Sequence, residues 1–246
     1  MPLPPLPTTP YLDWRYVAEG GANLVLSFSG PPDSPYYGRA LRLRKRKKRV
    51  RVGKADEAVP SEVGIVFGRE VIEPLLGAEQ VPEMELVALE RPWLEALVRR
   101  LRDKGARPAE REEEDEVDLD AREAVAVEDL VSGRGVLAVE IKPKWGFLPS
   151  PAHLSPPTAP LKRSYCRFCM HRYHKRVSSS SGNVNEDLAA ALAEHANGYC
   201  PLDLYSREPA RVQRALDCLY DGWARSSGEG NSLRIFLDGQ KLSPQD

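Results

Sequence analysis

The feature that most restricts how this chain can fold is a pair of adjacent glycines between two segments with strand character. Residues 14–17 and 24–28 are mainly aromatic and aliphatic, and the sequence Glu-Gly-Gly-Ala-Asn at 19–23 separates them. A short glycine turn between two such segments is typical of an antiparallel hairpin. Residues 40–44 then alternate apolar and basic side chains, which predicts a third strand with its arginines on one face.

Helical and strand patterns alternate along the rest of the chain. Helices are predicted over residues 67–76, 91–100, 163–176, 186–196 and 207–223, and further strands over residues 124–127, 135–141 and 233–237. The proline-rich residues 1–10 predict a disordered tail, and the charged residues 103–120 predict a solvated surface loop. These patterns place the chain in the α+β class, with a strand-rich first half and a more helical second half.

Composition argues against several classes of protein. Lys and Arg number 35 against 36 Asp and Glu, so the net charge of -1 gives no reason to expect nucleic acid as a partner. No run of eighteen apolar residues is present, so we expect no membrane partner either. Four cysteines are too few for a disulfide framework at this size and fit a reducing compartment. We expect an intracellular monomer, in the nucleus, the cytoplasm or both.

The glycine turn is also the first candidate for chemistry. Gly20 and Gly21 lack a Cβ, so the backbone N–H groups of this turn can approach phosphate oxygens closely. An ordinary hairpin turn accounts for the same residues, because the lysine and the Ser/Thr of a Walker phosphate loop are missing. The residues alone leave both interpretations open.

A second candidate is the segment at 140–149, with the sequence Glu-Ile-Lys-Pro-Lys-Trp-Gly-Phe-Leu-Pro. Lys142 and Lys144 flank Pro143, which fixes the backbone between them. A rigid pair of lysines at the end of a strand can clamp a phosphate group. Solvated lysines where a strand leaves its sheet are the alternative.

A third candidate lies at residues 165–176. On a helix, Arg167, His171 and Lys175 recur every fourth residue and form one cationic stripe. Arginine adds a bidentate geometry for phosphate that lysine lacks. Such a stripe can hold several phosphates of one ligand.

The same segment has an alternative interpretation as a zinc site. Cys166 and Cys169 have CxxC spacing, and His171, His174 and Cys200 are further candidate ligands. No second CxxC pair follows at the spacing of a zinc finger. Buried thiols that act as small apolar side chains are therefore the preferred interpretation, and we predict no metal.

Taken together, these segments resemble the inositol-pentakisphosphate 2-kinase family. The matching strings occur in the family's order and approximate spacing at residues 19–25, 140–149, 166–171 and 199–206, with a looser match at 231–236. The sequence EIKPKWGFLPSPAHLSP at 140–156 looks most like the version in basidiomycete fungi. The resemblance runs from about residue 13 to about residue 240.

The resemblance implies a two-lobed kinase-like fold. Residues 11–129 would form an antiparallel N-terminal lobe with a hinge at its end, and residues 130–246 the first part of the C-terminal lobe, which carries the inositol phosphate site. The implied activity transfers the γ-phosphate of ATP, with Mg²⁺, to the 2-hydroxyl of inositol pentakisphosphate. The product would be inositol hexakisphosphate (phytate).

The resemblance also assigns roles to residues. Those expected to bind ATP are Gly20, Gly21, Ala22, Asn23, Arg42, Glu128 and Asp129. Those expected to bind substrate are Lys142, Lys144, Arg167, His171, Lys175 and Asn231. Glu128 departs from the family pattern, and Lys142 has structure or the nucleotide as alternative roles.

The family's later segments, which carry the catalytic and metal-binding aspartates, have no counterpart before Asp246. We therefore expect an incomplete C-terminal lobe and an inactive chain, with the catalytic residues beyond residue 246. One alternative is a non-catalytic inositol polyphosphate-binding protein. A more distant one is a zinc-binding interaction module built on Cys166 and Cys169.

Overall fold

A computed structural model describes residues 3–48, 60–178 and 198–246. The chain divides into two compact units, Met1–Gly133 and Arg134–Asp246, and each is described here by itself. Both units combine helices with antiparallel sheets, as predicted for the α+β class. The helix predicted over residues 186–196 lies outside the described residues.

The first unit is built around an antiparallel sheet. Its strands are β1 (Trp14–Glu19), β2 (Asn23–Phe28), β3 (Arg39–Lys47), β4 (Met84–Ala88), β5 (Asp115–Val117) and β6 (Glu123–Glu128). They pair in the order β1-β2-β3-β6-β4, with β5 on the outer part of β3. The predicted hairpin is therefore present, and the third strand lies beside it.

The described residues of the same unit include four α-helices. They are α1 (Ser61–Phe67), α2 (Glu73–Leu76), α3 (Arg91–Asp103) and α4 (Ala109–Glu114), and a π-helical turn at Gly68–Ile72 joins the first two. Pro92 occupies the first turn of α3, where its missing N–H costs nothing. Leu94 and Leu97 of α3 are fully buried in the core with Leu41 of β3. Each such burial stabilises the fold by about 1.5–3 kcal/mol.

The N-terminal segment is packed, so the predicted disordered tail over residues 1–10 is wrong for residues 3–10. Leu6–Thr8 forms a 3-10 turn, and the Leu6 side chain is fully buried in the core. Trp93 donates an indole N–H to the carbonyl of Thr9 at 2.8 Å. Prolines fix φ near values that such a turn uses, so a proline-rich composition does not by itself produce disorder.

The charged segment at 103–120 is also more ordered than predicted, because it contains α4 and β5 rather than one solvated loop. Asp115, the first residue of β5, has only 1% of its side chain exposed. Lys45 donates to Asp115 at 3.0 Å and to Glu19 at 2.6 Å. Arg107 donates to both carboxylates at 2.7 Å. We call these four residues the buried ion network.

Charges balance within the buried ion network, which joins the end of β1 to β3 and β5. Burial by itself would raise the pKa of the Glu19 carboxyl. Hydrogen bonds from Arg107 and Lys45 outweigh that effect and hold this pKa below its usual value. The pKa of Asp115 is lowered in the same way. Both acids are therefore ionised and paired in the folded protein.

The second unit is smaller in its sheet and richer in helix. Its strands are β7 (Leu137–Ile141), β8 (Leu233–Leu237) and β9 (Gln240–Lys241), and its described helices are α5 (Ala159–Ser164), α6 (Arg167–Ser178), α7 (Pro201–Leu204) and α8 (Pro209–Arg225). The strands pair antiparallel in chain order. Leu219 and Trp223 of α8 pack with Tyr199 and Leu233 in this unit's core. Among the described residues, no helix has the length and apolar character to cross a membrane.

The buried ion network predicts a large difference between two neighbouring cations of β3. Lys45→Met would leave the buried carboxylates of Glu19 and Asp115 with Arg107 as their one buried cation among the described residues, which costs about 3–5 kcal/mol of unfolding free energy. Arg46→Met is the matched control, because its side chain is 47% exposed and its loss should cost about 0–1 kcal/mol. Urea unfolding followed by circular dichroism measures both. Equal stabilities would show that the network does not hold the unit together.

Candidate functional site

The glycine turn is closed by two backbone hydrogen bonds. Gly20 donates its N–H to the carbonyl of Asn23 at 2.8 Å, and Lys45 donates its N–H to the carbonyl of Ala22 at 2.9 Å. Neither Gly20 nor Gly21 adopts the left-handed backbone, and a Cβ built on either would meet no atom within 4 Å. The turn therefore does not need glycine for its conformation. What the two glycines provide is an open, uncovered backbone.

A cavity of about 320 Å³ lies next to this turn. It is bounded by the start of β2, by the outward face of β3, by residues of β4 and β6, and by the first turns of α1. The lining residues that matter for binding are Ala22, Asn23, Arg42, Arg44, Met84 and Val125. Three residues predicted to bind ATP therefore line one cavity.

Arg42 and Arg44 share a face of β3 because strand residues alternate between faces. The opposite face buries Leu41, Leu43 and Lys45. Within residues 3–48, 60–178 and 198–246, neither arginine has an ion-pair partner. Arg44 was not among the predicted site residues. The alternation that places the strand arginines on one face was the signal that could have found it.

The two predicted hinge residues lie at the end of β6. The carboxylate of Asp129 accepts hydrogen bonds from the Ser27 hydroxyl and from the backbone N–H groups of Val131 and Ser132. Its own N–H donates to the carbonyl of Gly38 at 2.8 Å. Glu128 has an exposed side chain. Neither is among the described residues that line the cavity, and Asp129 serves the local structure.

In the second unit, the end of β7 brings several predicted substrate residues together. Lys142 donates its Nζ to the side-chain carbonyl of Asn231 at 3.0 Å, across the β7–β8 pair. Burial lowers the pKa of Lys144, and the positive charges of Lys142 and Arg234 lower it further. Arg234 itself lies 3.5 Å from Glu140. Arg234 is a cation of this cluster that the sequence analysis did not assign.

Lys144 also has an unusual backbone. Its φ of 62° is in the left-handed region, which costs a residue with a Cβ about 1–2 kcal/mol. Strain of this kind persists only where surrounding structure enforces it, and it is enriched at binding sites. The conformation fixes where the Lys144 side chain leaves the loop.

The cationic stripe is helical, as predicted. Arg167 is the first residue of α6, and His171 and Lys175 follow it at intervals of one turn, both exposed. The Arg167 guanidinium lies 4.2 Å from the centre of the Trp145 ring, a cation–π contact. Trp145 stacks in turn on Phe147, with ring centres 6.0 Å apart. Arg167 is thereby held against the loop that carries Lys144.

Three cysteine sulfurs meet at the start of α6. Cys166 and Cys169 are buried, and Cys200, which precedes α7, joins them so that all three Sγ atoms lie within 4.8 Å of one another. Zinc–sulfur bonds of about 2.3 Å in a tetrahedron place sulfurs about 3.8 Å apart, so a small contraction would suffice. No metal was predicted from the sequence, because no second CxxC pair follows at the spacing of a zinc finger. The fold brings Cys200 to the CxxC pair.

Hydrogen bonding already distinguishes the thiols of this cluster. Hydrogen bonds from the thiols of Cys169 and Cys200 lower the pKa of Cys166, and the backbone N–H of Cys169 also donates to the Cys166 sulfur at 3.4 Å. The pKa of Cys169 is raised, because its proton is held by Cys166 and Cys200. Hydrogen bonding in the cluster therefore favours the thiolate form of Cys166. The described residues supply three of the four ligands usual at structural zinc sites.

This convergence predicts that the chain retains zinc when it is purified without chelators. Elemental analysis should find about one zinc per chain, and Cys200→Ser should reduce it well below that ratio. Cys218→Ser is the control, because Cys218 lies outside the cluster. A zinc-free wild-type protein, or equal zinc in both variants, would leave the thiols as apolar packing.

Comparison with known proteins shows that this chain is similar to members of one family. The family model described as inositol-pentakisphosphate 2-kinase matches residues 16–246. Proteins of that name from Cryptococcus neoformans and Arabidopsis thaliana are 33% and 28% identical over 95% and 94% of this chain, and 53% of each relative. A relative of that name from Danio rerio is 28% identical over 94% of the chain and 44% of its own length.

The chain thus spans about half the length of the curated relatives that it matches. The match covers most of the first unit and all of the second, including the glycine turn and the β7–β8 cluster. Because one family model accounts for nearly all of its residues, the chain belongs to the inositol-pentakisphosphate 2-kinase family.

Proposed function

We propose that this protein transfers the γ-phosphate of ATP to the 2-hydroxyl of inositol pentakisphosphate, giving inositol hexakisphosphate. Family membership supports the reaction type. The observation that carries the proposal for these residues is the cluster of Lys142, Lys144 and Arg234, with Arg167 held beside their loop by Trp145.

The electrostatics of that cluster favour a polyanion as its ligand. Burial lowers the pKa of Lys144, and the positive charges of Lys142 and Arg234 lower it further, which means that both cations repel the Lys144 ammonium group. The carboxylate of Glu140, a side chain that is 38% exposed, lies 3.8 Å from Lys142 and 3.5 Å from Arg234. An inositol ring that carries several phosphates would relieve this repulsion. A charge-assisted contact of this kind contributes about 1.5–3 kcal/mol.

The cavity in the first unit is the proposed ATP site. The open backbone of Gly20 and Gly21 would approach the phosphates, with Asn23 and Arg42 beside them. This arrangement supports an assignment of the units to the N-terminal lobe and the first part of the C-terminal lobe of a kinase-like fold.

Phosphoryl transfer depends mainly on positioning and on neutralising the developing charge, to which Mg²⁺ contributes in this class of reaction. The described residues that line the cavity include no carboxylate. No described residue of this cavity is therefore assigned to Mg²⁺.

The proposal predicts that Arg167 contributes directly to substrate affinity. Arg167→Ala should weaken binding of inositol pentakisphosphate by about 10- to 100-fold, the loss expected for one charge-assisted contact. Arg163→Ala on α5 is a matched control, because Arg163 is exposed and outside the cluster. Isothermal titration calorimetry measures both.

Transfer of labelled phosphate from ATP to inositol pentakisphosphate by the full chain tests the reaction itself. Unchanged affinity in Arg167→Ala would remove this residue from the site. Binding of both ligands without transfer would fit either the inactive chain expected from the sequence or a non-catalytic inositol polyphosphate-binding protein.

Trp145 should affect binding only through Arg167. An exposed cation–π contact contributes about 0.5–1 kcal/mol, so Trp145→Leu should weaken binding of inositol pentakisphosphate by about 2- to 5-fold. Trp145→Phe should recover part of that loss, because a phenyl ring retains a weaker cation–π contact. In an Arg167→Ala background, Trp145→Leu should have no further effect. An equal effect in both backgrounds would show that Trp145 acts independently of Arg167.

A further inference from the structure

Strand β3 carries Lys45 next to the glycine turn, but the side chain of this lysine is not accessible to a ligand. The side chain of Lys45 is fully buried, and Glu19 and Asp115 occupy its ammonium group at 2.6 and 3.0 Å. It lies on the face opposite the cavity, since it alternates with Arg44. A phosphate bound beside the turn therefore needs a cation other than Lys45.

Two guanidinium groups supply that charge on the cavity face. Arg42 and Arg44 are two residues apart, so their Cα atoms are separated by about 7 Å along the strand. Arg44 lies directly opposite Asn23, the residue that closes the glycine turn. Both arginines line the cavity, and neither has an acidic partner among the residues that the structure describes.

The next arginine on the same face shows that this lack of partners is local. Arg46 donates to Glu116 at 2.8 Å and to Asp120 at 3.1 Å. Within the described part of β3, the arginine beyond the cavity is therefore neutralised by acids, and the two within it are not. An unpaired pair of cations in a half-enclosed cavity favours an anionic ligand.

The cavity also has an apolar side. Val125 pairs with Arg42 across β3 and β6, and Met84 lies on β4, the next strand of the sheet. Charge is thus concentrated near the glycine turn, and apolar surface lies toward the far edge of the sheet. This gradient fits a nucleotide whose base contacts Val125 and Met84 and whose phosphates reach Asn23 and Arg44.

We propose that Arg44, together with Arg42, binds the phosphate chain of the nucleotide. This inference rests on the proposed ATP site and adds a residue to it. Arginine suits the role because its guanidinium stays charged and can bind phosphate oxygens in a bidentate manner. Lys45 has a different role, because it holds the turn and the strand together from the opposite face.

Titration of the full chain with adenosine, ADP and ATP tests the proposal. Arg44→Gln removes the charge but keeps a long polar side chain, and it should weaken ADP and ATP binding by about 10- to 100-fold. Adenosine affinity should change by less than about twofold, because no phosphate is present. Arg44→Lys should recover part of the loss, since charge returns without the bidentate geometry.

Arg46→Gln is the matched control, and it should leave all three affinities unchanged. Thermal unfolding of each variant should match the wild type, so that lost affinity cannot be attributed to unfolding. Equal ATP affinity in Arg44→Gln and Arg46→Gln would overturn the inference and leave the ATP site in place. So would an equal loss for adenosine and ATP, which would indicate a change in cavity shape.

Failure of the wild-type chain to bind ATP would overturn the proposed nucleotide site itself, and Arg44 with it. Strong ATP binding that is insensitive to both Arg42→Gln and Arg44→Gln would move the phosphates away from β3.

Discussion

The buried ion network is the interaction on which the first unit depends. Glu19, Lys45, Arg107 and Asp115 have side chains no more than 7% exposed. A buried charge without a partner costs several kcal/mol, so each of the four must stay close to the others. Because Glu19 precedes the glycine turn and Lys45 also holds the carbonyl of Ala22, the network fixes both sides of that turn.

The same strand serves two environments because its side chains alternate. Leu41, Leu43 and Lys45 face the core and the network, and Arg42 and Arg44 face the cavity. A chain with a net charge of only -1 can therefore present a strongly cationic surface. The acids that balance it are placed elsewhere, at Asp115 inside the unit and around Arg46 at its edge. Local separation of charge matters more here than the total.

In the second unit, strand register determines which cations meet. Glu140 pairs with Arg234 and Ile141 with Leu233, so the chain leaves β7 with Lys142 opposite Ser232 and Asn231. A shift of one residue would turn every side chain of β7 to the other face. Cys166 and Cys169 lie at the start of α6, where Cys200 joins them. The cysteine cluster is thus adjacent to Arg167, which begins the cationic stripe.

Local physics determined what the sequence could predict. The hairpin followed from a glycine turn between apolar segments, α3 from Pro92 in its first turn, and the stripe of α6 from a spacing of four residues. Each depends on neighbours in the chain, whose geometry is set by turn chemistry and by the helical repeat. The strings that identified the family are equally local.

Only the tertiary structure decided features that depend on distant partners. The proline-rich start packs because Trp93 and the core receive it, and a solvated-looking acid, Asp115, is buried because Lys45 and Arg107 are there to pair with it. Cys200 joins a CxxC pair far away in sequence. Composition and periodicity carry no record of such partners, because burial and pairing are properties of the whole fold and not of a segment.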